Sequence, residues 1–159
     1  MTEEMTPRQR FEAAANFETP DYVPASLFGG IFETHFVDGM TVPDYGMSGE
    51  NMGKAHIAFY EEIGGDTIYC LSDMGLIVQG WGVKMKMPDE PDIHMALGEF
   101  AVKEPEDWEK LEVLDPEKDG RMHLYLDACR MCSDKYGDKV PIGVSLPSPV
   151  TTATHVCSM

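Results

Sequence analysis

Asp73 is the side chain in this sequence best placed to act on a bound molecule. It follows Ser72, directly after Asp66 to Leu71 (DTIYCL), a dense apolar run bounded by turn signals that reads as a fully buried strand. An ionised aspartate only accepts hydrogen bonds, and those from N–H donors are charge-assisted and strong. The same carboxylate could instead cap the turn that follows. A second apolar run, Val140 to Leu146, leads into Pro147-Ser148-Pro149 and Thr151, which can shape a pocket mouth. Phe28 is followed by Gly29-Gly30, a pair suited to close backbone approach or simply to a flexible turn. His35 lies in the loop beyond and could line a site or sit on the surface; His56, His94 and His123 show no ligand spacing. Two spacings resemble metal motifs. His155-Val156-Cys157 is short of the three or four ligands zinc requires. Cys129-x-x-Cys132 falls in mid-helix, with Cys129 on the face of Met122 and Leu126, so packing is expected there and no metal is assigned.

The elements that must carry these residues are readable in outline. Thr6-Pro7-Arg8-Gln9 is a capping box with proline in the first helical position, predicting a helix to about Asn16. Tyr22 to Phe28 reads as a first strand, and Ile31 to Glu50 as an elaborated loop with one short helix. Ser48 or Asn51 caps a helix whose Met52, Ala55, Phe59 and Ile63 form a buried stripe, stopped by Gly64-Gly65. Met74 to Trp81 suggests a short helix, and Val83 to Val102 one or two short peripheral strands. Pro105 and early acidic residues start a helix at Glu104 to Leu111. Asp115-Pro116 begins another that runs to about Tyr136, and Thr151 to Met159 opens a last one. Buried strands separated by helices imply a parallel sheet with helices outside it.

Composition narrows the function. The chain has 159 residues, 43% apolar and 25% charged, as in an ordinary globular domain. Its net charge of −16 argues against a nucleic-acid-binding surface. No apolar run approaches the roughly 20 residues of a membrane span. The polar start MTEEMTPRQR lacks a secretory signal, so a cytoplasmic location with reduced thiols is expected.

Three stretches resemble the uroporphyrinogen decarboxylase and cobamide-dependent methyltransferase superfamily. They are MTPRQRFEAAANFETPDYVP (Met5 to Pro24), GDTIYCLSDMGLIVQGWG (Gly65 to Gly82), and Asp107 to Ala153, where DWEKLEVLDPEKDGR leads into PIGVSLPSPVTTA. In the second, Ser72-Asp73, Gln79 and Gly82 match the family motif in order and spacing. In the third, Ser148-Pro149-Val150-Thr151 stands where the family has Gly-Pro-aromatic-Thr. The resemblance implies an α/β fold, a (β/α)8 TIM barrel. Such a barrel needs roughly 250 residues. Residues 1–159 are therefore expected to be the N-terminal portion of one barrel domain: about three parallel strands, flanking helices and a small peripheral hairpin. The chain would be a fragment, a truncated product, or one completed by another polypeptide.

The resemblance also implies roles. Asp73 would be the catalytic residue, matching the aspartate that holds pyrrole N–H groups in decarboxylases. Ser72, Phe28, Gly29, Gly30, His35, Pro149 and Thr151 would bind substrate. The decarboxylase's arginine-rich stretch after the first strand is absent, since SLFGGIFETHFV holds no arginine or lysine. A substrate with many carboxylates needs such partners. This favours the methyltransferase branch, in which a methyl group passes between a corrinoid protein and a thiol such as coenzyme M. The zinc and corrinoid of that branch are implied only for the complete protein, because its His-x-Cys and distant Cys lie beyond this segment. The expected partners are a corrinoid protein or tetrapyrrole-like molecule and the missing part of the barrel. The alternatives are uroporphyrinogen decarboxylase proper, or an inactive module that binds a partner.

Overall fold

The first helix, α1 (Pro7–Ala15), begins as the sequence dictates: Thr6 Oγ1 accepts the Gln9 N–H, and the Gln9 side chain accepts the Thr6 N–H at 2.9 Å. The computed structural model describes residues 4–86 and 96–157. After α1 come a 3-10 helix, Gly30–Phe36, and a short helix α2 (Val42–Gly46), so the expected loop is more ordered than its sequence suggests. Ser48 caps α3 (Gly49–Ile63), whose buried side includes Met52, Ala55, His56 and Ile57; Ile63, placed in the stripe by spacing, is exposed.

Strand β1 (Ile68–Cys70) is followed by a 3-10 turn at Val78–Trp81, and β2 (Lys84–Lys86) pairs antiparallel with β3 (Ala96–Glu99) as the peripheral hairpin. His94 lies outside the described residues. A 3-10 helix (Pro105–Lys110) stands where the helix at Glu104 was expected. Then follow α4 (Met122–Tyr136), β4 (Ile142–Val144) and α5 (Pro149–Val156).

β1 and β4 pair in parallel, with Ile68 opposite Ile142 and Cys70 opposite Val144. Helices α3 and α4 cover this pair, and the core between them contains Met52, Ala55, Ile68, Cys70, Tyr125 and Ala128. A second apolar cluster, Val78, Val83, Val102 and Val156, joins the hairpin to α5. Parallel strands covered by helices in this way match the arrangement of part of an α/β barrel.

Two expectations are corrected. Tyr22–Phe28 forms no strand. Pro24 has no N–H for a ladder, and the Ala25 N–H is taken by the Asp66 carboxylate at 2.7 Å. Asp66 in turn donates its own N–H to the Ala25 carbonyl at 2.8 Å, so the segment is pinned beside the start of β1. Helix α4 also starts later than Asp115. Asp119 Oδ2 accepts the Asp115 N–H at 2.6 Å, closing a local turn. Gly120 then takes φ +61°, with Gly80 N 2.8 Å from where a Cβ would stand. The break turns the chain inward and delivers Arg121 to the core. The buried stripe of α4 is accordingly Tyr125, Ala128 and Cys132, flanked by Met122, Cys129 and Tyr136, with Leu126 outside it.

Candidate functional site

The C-terminal ends of β1 and β4 are tied together by one phenol. Tyr125 on α4 donates its O–H to the Cys70 carbonyl at 2.5 Å and accepts the Ser145 N–H at 3.1 Å. Burial pushes this phenol well above its ordinary range, so it remains a donor. Tyr45 does the same for the next residue, donating to the Leu71 carbonyl. Its proton is held still more firmly by burial and by the nearby Glu33 and Asp73 carboxylates. Both strand ends are therefore fixed in place.

Between them lies a cavity of about 190 Å³. Leu71, Leu76, Ile77 and Leu146 supply apolar walls; Ser72, Asp73, Tyr125, Ser145, Thr151 and His155 bring polar atoms. Ligand pockets in barrels lie at this end of the strands.

Asp73 is not an open acceptor. Its side chain is 1% exposed and meets Arg121, itself 7% exposed. Arg121 Nη1 donates to Oδ2 at 2.8 Å and Nη2 to Oδ1 at 2.7 Å, a fork-to-fork pair. The Gly75 N–H adds a bond to Oδ1 at 2.9 Å, and Ser72 Oγ one to Oδ2 at 3.3 Å. The rest of the guanidinium is used too: Nη1 also reaches the Gly46 carbonyl at 2.5 Å, and Nε donates to the Gln79 side chain. This gives the Ser72-Asp73…Gln79 spacing a physical meaning, because both residues converge on one buried cation. Asp73 and Arg121 cancel in charge, leaving the pocket near neutral in a chain of net charge −16.

Of the residues singled out in the sequence, Asp73, Ser72 and Thr151 meet at this cavity. Pro149 lines a neighbouring apolar cleft with Trp81, Trp108 and Val156. Phe28 is exposed and packs edge-on against Tyr69 with ring centroids 6.0 Å apart. His35 is exposed against Phe32. Gly29 faces Glu33, and Gly30, at φ +58°, touches the side chain of Leu71: a Cβ there would stand 2.8 Å from Leu71 Cδ2. Close approach, rather than a flexible turn, explains Gly30.

Arg121, Tyr125 and His155 were not singled out for this pocket. His155 lines it, is 8% exposed, and has a buried Nδ1 without a hydrogen-bond partner among the described residues. Its neighbour in the His-x-Cys spacing turns elsewhere: Cys157 Sγ donates to the Ala153 carbonyl at 3.1 Å and packs with the Val102 cluster. Among the described residues no three His, Cys, Asp or Glu side chains converge to hold a metal. The donor set of the described residues thus does not fit zinc. Cys129 and Cys132 of α4 pack on Cys70 of β1, whose thiol is pushed up by contact with both and by burial. Cys129 is shifted down by its bond to Cys70. No helix among the described residues is long and apolar enough to cross a membrane.

The chain is similar to the methylcobamide:CoM methyltransferases MtbA of Methanosarcina acetivorans, at 28% identity, and Methanosarcina mazei, at 26%. Each match covers 96% of this chain and 45% of the relative, so the chain spans about half their length. The fold matches a solved methyltransferase from Methanosarcina mazei with a TM-score of 0.81 and 25% identity, over 98% of this chain and 46% of that one. The family model for uroporphyrinogen decarboxylase (URO-D) matches residues 6–158, nearly the whole sequence, and the chain belongs to that family.

Proposed function

We propose that this chain is the N-terminal, pocket-bearing portion of a corrinoid-dependent methyltransferase barrel, acting with a methylated corrinoid protein and a thiol acceptor of the coenzyme M type. The observation that carries the reading is the pocket at the C-terminal ends of β1 and β4, near-neutral and mostly apolar, in a chain similar to methylcobamide:CoM methyltransferases. A decarboxylase acting on a highly carboxylated tetrapyrrole would need cations facing its substrate. Here Ser26 to Val37 contains no arginine or lysine, and Arg121 is occupied by Asp73.

In this reading Asp73 is a positioning residue. It holds Arg121, and the pair fixes the turn after β1. Ser72, Thr151 and His155 are the groups offered to the ligand. At about 190 Å³ the cavity is smaller than the roughly 300–1,000 Å³ usual for drug-sized ligands. It admits a small acceptor or one edge of a larger ring system. The remaining strands, and any metal, belong to the part of the barrel that lies outside this segment.

The test supplies that part. The chain is mixed with a polypeptide carrying the C-terminal half of a Methanosarcina relative, methylcobalamin and 2-mercaptoethanesulfonate. Demethylation of methylcobalamin, read by visible absorbance, is expected only when both polypeptides are present. A folded, associated pair that leaves methylcobalamin intact overturns the proposal.

A further inference from the structure

Behind β1, away from the pocket, lies a second polar site. Glu33, in the 3-10 helix after the double glycine, and His56 on α3 have side chains only 2% and 0% exposed. His56 Nδ1 donates to the Glu33 carboxylate. The opposite ring nitrogen, Nε2, is buried and has no partner among the described residues, and neither has the buried hydroxyl of Thr67 at the start of β1. His56 and Thr67 line one cavity together with Glu33, Leu27 and Tyr69.

A carboxylate, a histidine oriented through Nδ1 and a hydroxyl on the same cavity are the residue types of a nucleophilic triad. Size decides against that chemistry, for the cavity measures about 10 Å³. An acyl substrate does not fit, whereas a single water needs only about 10–15 Å³ and two or more polar partners. Without a partner, each of these two buried groups at the cavity would bear an uncompensated desolvation penalty.

We propose that this cavity binds one internal water, hydrogen-bonded to His56 Nε2 and Thr67 Oγ1. It completes a buried chain Glu33–His56–water–Thr67 linking the 3-10 helix, α3 and β1. Tyr45 packs edge-on against His56 with centroids 5.9 Å apart and donates to the Leu71 carbonyl, so the chain also braces the strand end that carries Ser72 and Asp73. The site is independent of the methyltransferase reading.

Oxygen-17 magnetic relaxation dispersion of water, which registers long-lived internal molecules, tests it on the chain itself. Thr67→Val removes the hydroxyl at nearly constant volume, and Thr67→Ser keeps it. The wild type and Thr67→Ser are expected to show one more long-lived water than Thr67→Val, with unchanged near-ultraviolet circular dichroism. Equal dispersion in wild type and folded Thr67→Val overturns the proposal. Should Thr67→Val fail to fold, a high-resolution crystal map of the wild type decides: density bonded to both atoms supports the water, and an empty cavity or a direct His56–Thr67 bond refutes it.

Discussion

Arg121 meets Asp73 with two parallel hydrogen bonds, 2.7 and 2.8 Å long, across 48 residues of sequence. Removing one member strands the other as an unpaired buried charge, which typically costs about 3–5 kcal/mol. Asp73→Asn and Arg121→Met should each lower stability by that order in urea unfolding. Arg121→Lys should also be damaging, because an ammonium cannot reproduce the fork or reach Gln79 as well. The double variant Asp73→Leu/Arg121→Met should lose far less than the two single losses combined. A loss below about 1 kcal/mol for Asp73→Asn would mean that the carboxylate is free to serve a ligand directly.

What the sequence reveals of this arrangement depends on range. The helix starts at Thr6 and Ser48 are legible because a side chain caps its own backbone three residues on. The parallel pairing of the segments at Ile68 and Ile142 follows from two apolar runs separated by helices. The Ser72-Asp73…Gln79 spacing is visible in one dimension, but its partner is not. Arg121 reads as an ordinary polar residue within an expected helix until Gly120 is seen to break the path. The Tyr22–Phe28 strand fails for a similar reason: the carboxylate that displaces its ladder, Asp66, lies 41 residues from Ala25.

A second ion cluster sits at the opposite end of β1. Arg10 Nε donates to Asp21 Oδ1 at 2.6 Å and Nη1 to Asp66 Oδ1 at 2.5 Å, while the guanidinium lies 3.5 Å over the Tyr22 ring. The hydrogen bond from Arg10 chiefly holds the Asp21 carboxyl down at about 2, from its ordinary 3.8. The unfolded chain therefore binds more protons than the folded one between these values. Stability from this contact is complete above the ordinary value and is lost as pH falls toward about 2. Asp21→Asn should flatten the fall in urea midpoint over that interval. An unchanged slope would assign acid sensitivity to other carboxylates.

Gly30 and Gly39 both hold left-handed backbone, at φ +58° and +71°, but only Gly30 abuts another side chain. Alanine at Gly39 should cost the backbone penalty alone, about 1–2 kcal/mol. Alanine at Gly30 should cost more, because it must also displace the Leu71 methyl that lines the pocket. Equal losses in the two variants would show that Leu71 yields freely.

The three core thiols should differ in reactivity. The thiolate is the attacking form. Contact with Cys129 and Cys132, together with burial, keeps Cys70 protonated, whereas Cys129 is half-buried and shifted down. Iodoacetamide followed by peptide mass spectrometry should modify Cys129 well before Cys70 or Cys132. Comparable rates at Cys70 would mean that the sheet opens faster than the reagent attacks.

His155 offers the sharpest separation of stability from function. A buried ring nitrogen without a partner costs about 1–3 kcal/mol, and such groups persist where they serve a ligand. Phenylalanine keeps an aromatic ring of similar width and removes the unsatisfied atom. His155→Phe should therefore hold or raise the stability measured by urea unfolding, by up to about 1 kcal/mol, while reducing demethylation of methylcobalamin by the two-polypeptide mixture at least tenfold. Thr152→Ala, on the cleft side of α5, serves as the control and should leave both quantities near wild type. If His155→Phe instead destabilises the chain and leaves methyl transfer intact, the imidazole is a packing residue and the pocket must hold its ligand through Ser72 and Thr151.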